Sequence, residues 1–379
     1  MINKGYKYRI YPNKAQQELL EKHFGATRWI FNYGLEKKIK QYQKNKNSLN
    51  CFAISKKLPK LKKNKETEWL QDINAQSIQM ALRNLDNAYT NFFKKQNKFP
   101  KFKSKKNKRS FSIPQGNTID WNSKKASFIK IGKIKIRIDR KFEGKIVRAT
   151  ISKNLINQYF VSYTVEQDIK FLKLKRINEK STIGIDLGIK DFAIISNGEK
   201  IKNPKYLKNS EKRLAVLQRR LSRKQKGSQN RIKAKFKVAK LHNKIANQRS
   251  YFLHNLTHKL THDNQVQTIA IENLNVKGMV KNHCLAKTIS DASWGEFVRQ
   301  LIYKCEWYGK NLLTIGRFEP SSKMCSCGYI NKELKLSDRK WTCPECKTTH
   351  DRDILAANNI KKFALSPLLK RGVPVELPQ

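Results

Sequence analysis

The sequence predicts an α+β protein of more than one domain, and three observations along the chain support this. The first hundred residues carry apolar side chains at helical spacing. From Ser110 to Glu166 apolar and polar residues alternate instead, which is typical of short strands joined by Gly and Asn turns. From residue 181 onward, predicted strands alternate with predicted helices. A chain of 379 residues is long enough for two or more such domains.

The helical part follows a short predicted strand at Tyr6–Tyr11. Asn13, with Gln16 three residues later, predicts a capping box at the start of a first amphipathic helix. A second amphipathic helix is predicted over Ile78–Phe93. The alternating segment that comes next favours a small barrel or sandwich, and residues 167–180 are expected to form a linker.

The last two hundred residues begin with two strands, Thr182–Leu187 and Phe192–Ser196, which we expect to pair. Asn197-Gly198 predicts a turn directly after them. A long basic helical segment follows, and Thr268–Glu272 is an apolar strand that ends in an acid. A helix, a strand and a cysteine cluster then precede a final helix that starts near Asp351.

The charge balance indicates the class of partner. Lys and Arg number 81 against 29 Asp and Glu, a formal net charge of +52. A chain with this much positive charge repels itself unless a polyanion is bound. We therefore expect its partner to be nucleic acid rather than a small-molecule substrate. No apolar run reaches the length of about 20 residues that a membrane span needs, so a membrane partner is not expected. The start of the chain has no apolar signal core, which predicts a cytoplasmic protein.

Three acids lie where a metal site could form. Asp186 sits in the apolar strand of IGIDLGIKDFAI, Glu272 ends another, and Asp353 lies in HDRDILAANNI at the final helix. An isolated carboxylate in such a strand is costly and needs a cation or partner. Three carboxylates on two strands and a helix can hold two divalent ions, and oxygen ligands favour Mg²⁺ or Mn²⁺. Each acid alone is weak evidence, but the order of elements matches an RNase H-like nuclease domain.

Asp351 and Asp353 compete for the third role. Residues two apart on a helix differ by about 200° in direction, so both cannot face one site. Asp351 lies at the predicted start of the helix and suits a cap, whereas Asp353 lies inside the helix. We therefore predict Asp353 as the third acid.

Four cysteines predict a structural zinc ribbon, Cys325, Cys327, Cys343 and Cys346. The first two cysteines are separated by one residue, where a zinc ribbon usually has two. This shorter spacer is expected to strain a tetrahedral site. His350 is an alternative ligand in place of one thiolate, and a ribbon that folds without metal is a further alternative. The other three cysteines are expected to be ordinary packing residues.

The basic helical segment around residue 220 has an apolar stripe that begins at Leu214. Nearly all its charges are positive, which favours contact with phosphate over a merely solvated face. The residues expected to be exposed for this contact are Arg219, Arg220, Arg223 and Lys224.

The chain resembles the TnpB (OrfB) proteins of bacterial insertion sequences, relatives of the type V CRISPR effector nucleases. The blocks that carry the resemblance occur in the family's order and span nearly the whole chain: YKYRIYPNKAQ, FPKFKSKK, GIDLGIKDFA, IENLNVKGMVKN, ISDASWGEF, PSSKMCSCG, WTCPEC and HDRDILAANNI. The resemblance implies an RNA-guided DNA endonuclease of a transposable element. It would bind a guide RNA from the element's end and double-stranded target DNA beside a short adjacent motif, and would associate with the bacterial nucleoid.

The resemblance also implies a domain plan. A β-barrel wedge domain is expected over residues 1–12 and 100–172, interrupted by a helical recognition domain over 13–99. An RNase H-like (RuvC) α/β domain over 175–379 would contain an inserted zinc ribbon over 318–350. The catalytic acids carry over onto Asp186, Glu272 and Asp353.

Two departures from the family leave a second hypothesis open. The first is the shortened cysteine pair, and the second is Leu355, which stands where the family commonly has Asn. Leu355 predicts the loss of a polar contact behind the metal site. The alternative is therefore an RNA-guided DNA-binding protein, or an RNA-binding regulator, whose cleavage is weak or lost.

Overall fold

The fold is described from a computed structural model over residues 1–106, 109–168, 172, 174–263, 265–335 and 337–370. The chain divides into two units, Met1–Lys170 and Phe171–Gln379, and each is described by itself. Among the described residues, no helix combines the length and the apolar character that crossing a bilayer requires.

The first unit starts with strand β1 (Ile2–Tyr11) and helix α1 (Lys14–Asn45). The predicted capping box is confirmed. The Gln16 backbone N–H donates to the Asn13 side chain at 2.9 Å, and the Gln16 side-chain oxygen accepts from the Asn13 backbone N–H at 3.0 Å. The box satisfies two N–H groups at the helix start that would otherwise lack partners, so it determines where α1 begins.

The remaining helices of this unit pack beside α1. They are α2 (Cys51–Ser55), α3 (Leu58–Lys63), a 3-10 turn (Glu68–Asp72) and α4 (Ala75–Phe93). A Cβ built on Gly34 of α1 would lie 2.8 Å from a Leu82 methyl of α4, so the absence of a side chain there allows the close approach of the two helices.

Six further strands complete a seven-stranded antiparallel sheet: β2 (Arg109–Ile113), β3 (Asn117–Asp120), β4 (Lys125–Phe128), β5 (Gly132–Arg137), β6 (Lys145–Lys153) and β7 (Tyr159–Gln167). The strand order is β2-β6-β7-β1-β5-β4-β3. Among the described residues the edge strands β2 and β3 do not pair, so the hydrogen bonding forms an open sheet and not a closed barrel. Its core contains Tyr8, Phe128 and Tyr163 together with Leu20 and Phe24 of α1.

The second unit is built on a mixed five-stranded sheet: β8 (Thr182–Leu187), β9 (Asp191–Ile195), β10 (Lys200–Lys202), β11 (Thr268–Ile271) and β12 (Asn311–Thr314). The order is β10-β9-β8-β11-β12, with β8, β11 and β12 parallel to one another. The predicted pairing of β8 with β9 is confirmed, and Gly198 turns the chain into β10 with a φ of +91°.

Helices cover both faces of this sheet: α5 (Tyr206–Ser222), α6 (Gln229–His262), α7 (Val276–Met279), α8 (His283–Ala292), α9 (Trp294–Tyr308) and α10 (Arg352–Lys370). Ile185 and Ile271 pack with Phe297 of α9 in the larger core. Ala270 packs with Ile360 of α10 in a separate cluster. Because neighbouring residues of a strand face opposite sides, α10 lies on the face opposite α6 and α9.

A small two-stranded sheet lies between β12 and α10 along the chain. Its strands are β13 (Lys340–Thr342) and β14 (Thr349–Asp351), which pair antiparallel. The four clustered cysteines and Trp341 surround this hairpin, and we call residues 318–350 the cysteine ribbon.

Candidate active site and cysteine ribbon

Two of the predicted acids lie side by side at the carboxyl ends of neighbouring strands. Ile185 of β8 and Ile271 of β11 are in register in the parallel pair, and Asp186 and Glu272 are the next residue of each chain segment. Neighbouring strands lie about 4.8 Å apart, and residues in register point to the same face. The sheet therefore places the two carboxylates next to each other.

Helix α10 brings the third acid to the same edge. A Cβ built on Gly184 would lie 2.0 Å from the backbone oxygen of Ala357, so α10 packs directly on the glycine. Asp186 follows Gly184 by two residues on the same face of β8, and Asp353 precedes Ala357 by one helical turn. With α10 antiparallel to β8, Asp353 lies beside Asp186. Gly184 is thus a requirement of the site's geometry.

The pKa of Asp186 is affected by both of the other acids. Loss of hydration, together with the negative charges of Glu272 and Asp353, raises the pKa of Asp186 from 3.8 to about 7, while Arg352 opposes the change. A divalent cation stabilises carboxylates that lie close together without enough positive charge nearby. Oxygen donors suit Mg²⁺ or Mn²⁺. The side chains present therefore fit such ions.

Two of the three acids also have protein partners that the sequence did not reveal. The Ser321 hydroxyl donates to Glu272 Oε1 at 2.6 Å. Arg339 forms an ion pair with Asp353 at 3.2 Å. Ser321 and Arg339 both belong to the cysteine ribbon, so the ribbon contacts the acids directly.

Asp351 has the capping role predicted for it. Its Oδ1 accepts from the backbone N–H groups of Asp353 at 3.1 Å and Ile354 at 3.3 Å, which are first-turn donors of α10. Its Oδ2 forms an ion pair with Lys200 at 2.7 Å. Both carboxylate oxygens are therefore used away from the three-acid site.

The four ribbon cysteines converge as predicted, with their sulfurs all within 4.8 Å of one another. Cys327 and Cys343 Sγ are 3.7 Å apart, and Cys325 and Cys346 Sγ are 3.4 Å apart. A tetrahedral zinc site with Zn–S bonds of about 2.3 Å has sulfur–sulfur edges of about 3.8 Å. The shortened C-x-C pair therefore reaches a geometry close to that of a zinc site, and thiolate donors fit zinc.

Hydrogen bonding with Thr348 lowers the pKa of Cys346 to about 6, which favours the thiolate that metals bind. His350 Nε2 lies 3.0 Å from Cys325 Sγ, so the alternative ligand considered above stands directly against the cluster. The four sulfurs nevertheless form a complete set of donors by themselves.

The predicted basic residues lie where a charged ligand could reach them. Arg219, Arg220, Arg223 and Lys224, which we call the α5 basic group, are all exposed at the end of α5. Leu214 and Leu217 on the opposite side pack against Leu241 and Ile245 of α6. Their role in binding remains a prediction.

Comparisons with known protein families place the chain. Residues 160–283 match a family described as "Probable transposase" (OrfB, IS605), and residues 294–360 match the Cas12f1-like TNB domain. Residues 1–47 match a domain described as helix-turn-helix, although here they form the strand β1 and the single long helix α1.

Two relatives align with nearly the whole chain. A Streptomyces pristinaespiralis protein named "Putative RNA-guided DNA endonuclease" is 38% identical over 369 residues, covering 96% of this chain and 90% of that protein. The Escherichia coli protein InsQ, with the same description, is 30% identical over 94% of this chain and 90% of its own length. A Cas12f1 structure, solved with single-guide RNA and target DNA, shares the fold at 14% identity with a TM-score of 0.58, covering 95% of this chain and 98% of that one. The chain belongs to the OrfB (TnpB) family of IS605-type insertion sequences.

Proposed function

We propose that this protein is an RNA-guided DNA endonuclease that hydrolyses phosphodiester bonds at Asp186, Glu272 and Asp353. The observation that carries the proposal is the convergence of these acids at one sheet edge, where burial and the charges of Glu272 and Asp353 raise the pKa of Asp186 to about 7. The names of the full-length relatives support the RNA-guided activity.

The three carboxylates would hold Mg²⁺ or Mn²⁺, ions that supply an activated water and stabilise the leaving oxygen of the phosphodiester. Asp186 would bind such an ion as the carboxylate, with its proton lost to solvent. Asp353, which is paired with Arg339, would exchange that partner for the metal, and the guanidinium would then be available to a phosphate. Glu272 keeps the Ser321 hydrogen bond on one oxygen and offers the other.

The remaining parts of the proposal concern partners and domains. The net charge of +52 suits a guide RNA, transcribed from the end of the element, and a double-stranded DNA target. The α5 basic group would contact phosphates. The segments 1–12 with 100–172, 13–99 and 175–379 would act as wedge, recognition and RuvC domains, and the cysteine ribbon would hold zinc as a structural ion.

The test is plasmid cleavage by the purified ribonucleoprotein. The protein is expressed with the transcript of the element's end and incubated with Mg²⁺ and plasmids that carry the guide-matched target beside a randomised motif. We expect linear product for a subset of motifs, none after Asp186→Ala, and wild-type cleavage after Glu306→Gln, an exposed change on α9. Uncut plasmid across the whole library refutes the proposal, as does cleavage that survives Asp186→Ala.

The same samples decide the rival function. An RNA-guided DNA-binding protein would retain the target in a gel-shift assay and leave it uncut with Mg²⁺ or Mn²⁺. An RNA-binding regulator would retain the RNA and no target DNA. Double-strand breaks that depend on Asp186 eliminate both alternatives.

A further inference from the structure

One polar contact joins the cysteine ribbon to the acids. Ser321 is 8% exposed, lies four residues before Cys325, and donates its hydroxyl to Glu272 Oε1 at 2.6 Å. A hydrogen bond to a carboxylate is short and strong when the donor is fixed. One oxygen of Glu272 is therefore oriented while the other stays available.

The position of Ser321 is itself fixed from α10. The side-chain amide of Asn359 donates to the backbone oxygens of Ser321 at 2.7 Å and Met324 at 2.6 Å. Asn359 is 3% exposed, so breaking these bonds would leave buried polar groups without partners. The loop before Cys325 is thus anchored to the helix that carries Asp353.

The same helix also receives the apolar side of the ribbon. Leu355 precedes Asn359 by one turn and packs in a buried cluster with Cys325, Cys343 and Trp341. Residues four apart lie on one helical face, so this face of α10 holds the ribbon by an apolar contact and its loop by a polar one. Ribbon, loop and Glu272 are therefore connected by a continuous series of contacts.

We propose that Ser321 is a positioning residue that orients Glu272 toward the divalent ions. The folded cysteine ribbon, which is attached to α10 through Asn359, keeps Ser321 in the position that this contact requires. The inference rests on the proposed function, since it assigns Glu272 to the metal site. Metal binding in the cysteine ribbon would then control the affinity of the three acids for Mg²⁺ or Mn²⁺, with no ligand shared between the two sites.

The first test measures Mn²⁺ binding to the zinc-loaded protein by isothermal titration calorimetry, without DNA. We expect Ser321→Ala to weaken Mn²⁺ binding about tenfold, the usual effect of removing a partner of a metal ligand. Ser321→Thr keeps the hydroxyl and should restore most of the affinity. Ser337→Ala is the matched control, because that exposed ribbon hydroxyl donates to Asp338 and not to Glu272. Wild-type affinity in Ser321→Ala overturns the proposal.

The second test is a double-mutant cycle with the exposed ligand candidate Cys346. Cys346→Ser should weaken Mn²⁺ binding in the wild-type background and add little in Ser321→Ala, because both changes release the same carboxylate. Independent, additive losses would show that the ribbon does not act through Ser321. Asp186→Asn separates the two proposals. If Asp186→Asn leaves Mn²⁺ binding unchanged, the three-acid site is wrong. If Asp186→Asn weakens Mn²⁺ binding and Ser321→Ala does not, only the positioning role is refuted.

Discussion

Replacing Asp186 by Asn should stabilise the metal-free protein at neutral pH, because the site destabilises its own carboxylate. Loss of hydration and the charges of Glu272 and Asp353 raise the pKa of Asp186 from 3.8 to about 7. Between these two pH values the folded protein therefore keeps the Asp186 proton, whereas the unfolded chain has lost it. The free energy of unfolding falls as pH rises from about 4 to about 7, and the full cost remains above pH 7. Asn cannot ionise, so the variant escapes this cost.

The magnitude follows from the difference between the two pKa values. A pKa higher by about 3 corresponds to about 4 kcal/mol, at 1.36 kcal/mol per unit. Asp186 keeps some contact with solvent, which screens the neighbouring charges, so we expect about 2 to 4 kcal/mol at pH 8. At pH 5 most of the cost has not yet developed, and the gain should fall to less than half of that at pH 8.

The assay is urea unfolding of the zinc-loaded protein without added Mg²⁺, followed by tryptophan fluorescence at pH 5 and pH 8. Glu306→Gln, an exposed change on α9, is the control for removal of a negative charge. Added Mg²⁺ should stabilise the wild type at pH 8 and leave Asp186→Asn unchanged, since ion binding to the folded state alone adds stability. Equal or lower stability of Asp186→Asn at pH 8 would refute the view that the three acids repel one another.

Three further changes test other parts of the unit. Gly184→Ala places a Cβ 2.0 Å from the Ala357 oxygen, so the free energy of unfolding, measured by thermal unfolding, should fall by about 1 to 3 kcal/mol. Gly295→Ala is the control and should not lower it, because the space around Gly295 is open. Arg339→Ala removes the cation paired with Asp353. It should tighten Mn²⁺ binding by up to about fivefold in calorimetry, because an exposed ion pair contributes up to about 1 kcal/mol. Weaker Mn²⁺ binding would show that the arginine supports the site instead. Changing all four residues of the α5 basic group to Gln should reduce the salt dependence of RNA binding by a slope of about 3, at about 0.7 per lost phosphate contact, with unchanged melting temperature. An unaltered slope would remove this group from the interface.

Features decided by neighbouring residues could be predicted from the sequence. The capping box at Asn13, the turn at Asn197-Gly198 and the cap at Asp351 each depend on residues within a few positions. The proximity of the three acids could also be predicted, since a carboxylate beside an apolar strand needs a cation or partner wherever the fold puts it, while their catalytic role stays a prediction. The open edge of the first sheet was not, because closure depends on how distant strands pair.

The partners of the acids could not be predicted, because they are tertiary contacts between polar residues of ordinary type. Ser321 meets Glu272 across 49 positions, and Asn359 meets Ser321 across 38. Both lie in blocks that resemble the family, PSSKMCSCG and HDRDILAANNI, but neither carries a charge or a metal-ligating group that would point to its contact. The packing of the cysteine ribbon against α10 gives these side chains their place beside the three acids.

Leu355 shows how that packing changes the interpretation of a substitution. By position, an apolar residue two after Asp353 suggested a lost polar contact behind the acids. The side chain instead is 7% exposed and packs among Cys325, Cys343, Leu334 and Trp341. Residues two apart on a helix point in directions about 200° apart, so Asp353 and Leu355 face different surroundings. An apolar residue suits the ribbon face, where an unpaired Asn would be costly, and the polar attachment is supplied one turn later by Asn359. Leu355 therefore belongs to the packing between α10 and the ribbon, and its presence is no ground for the binding-only alternative.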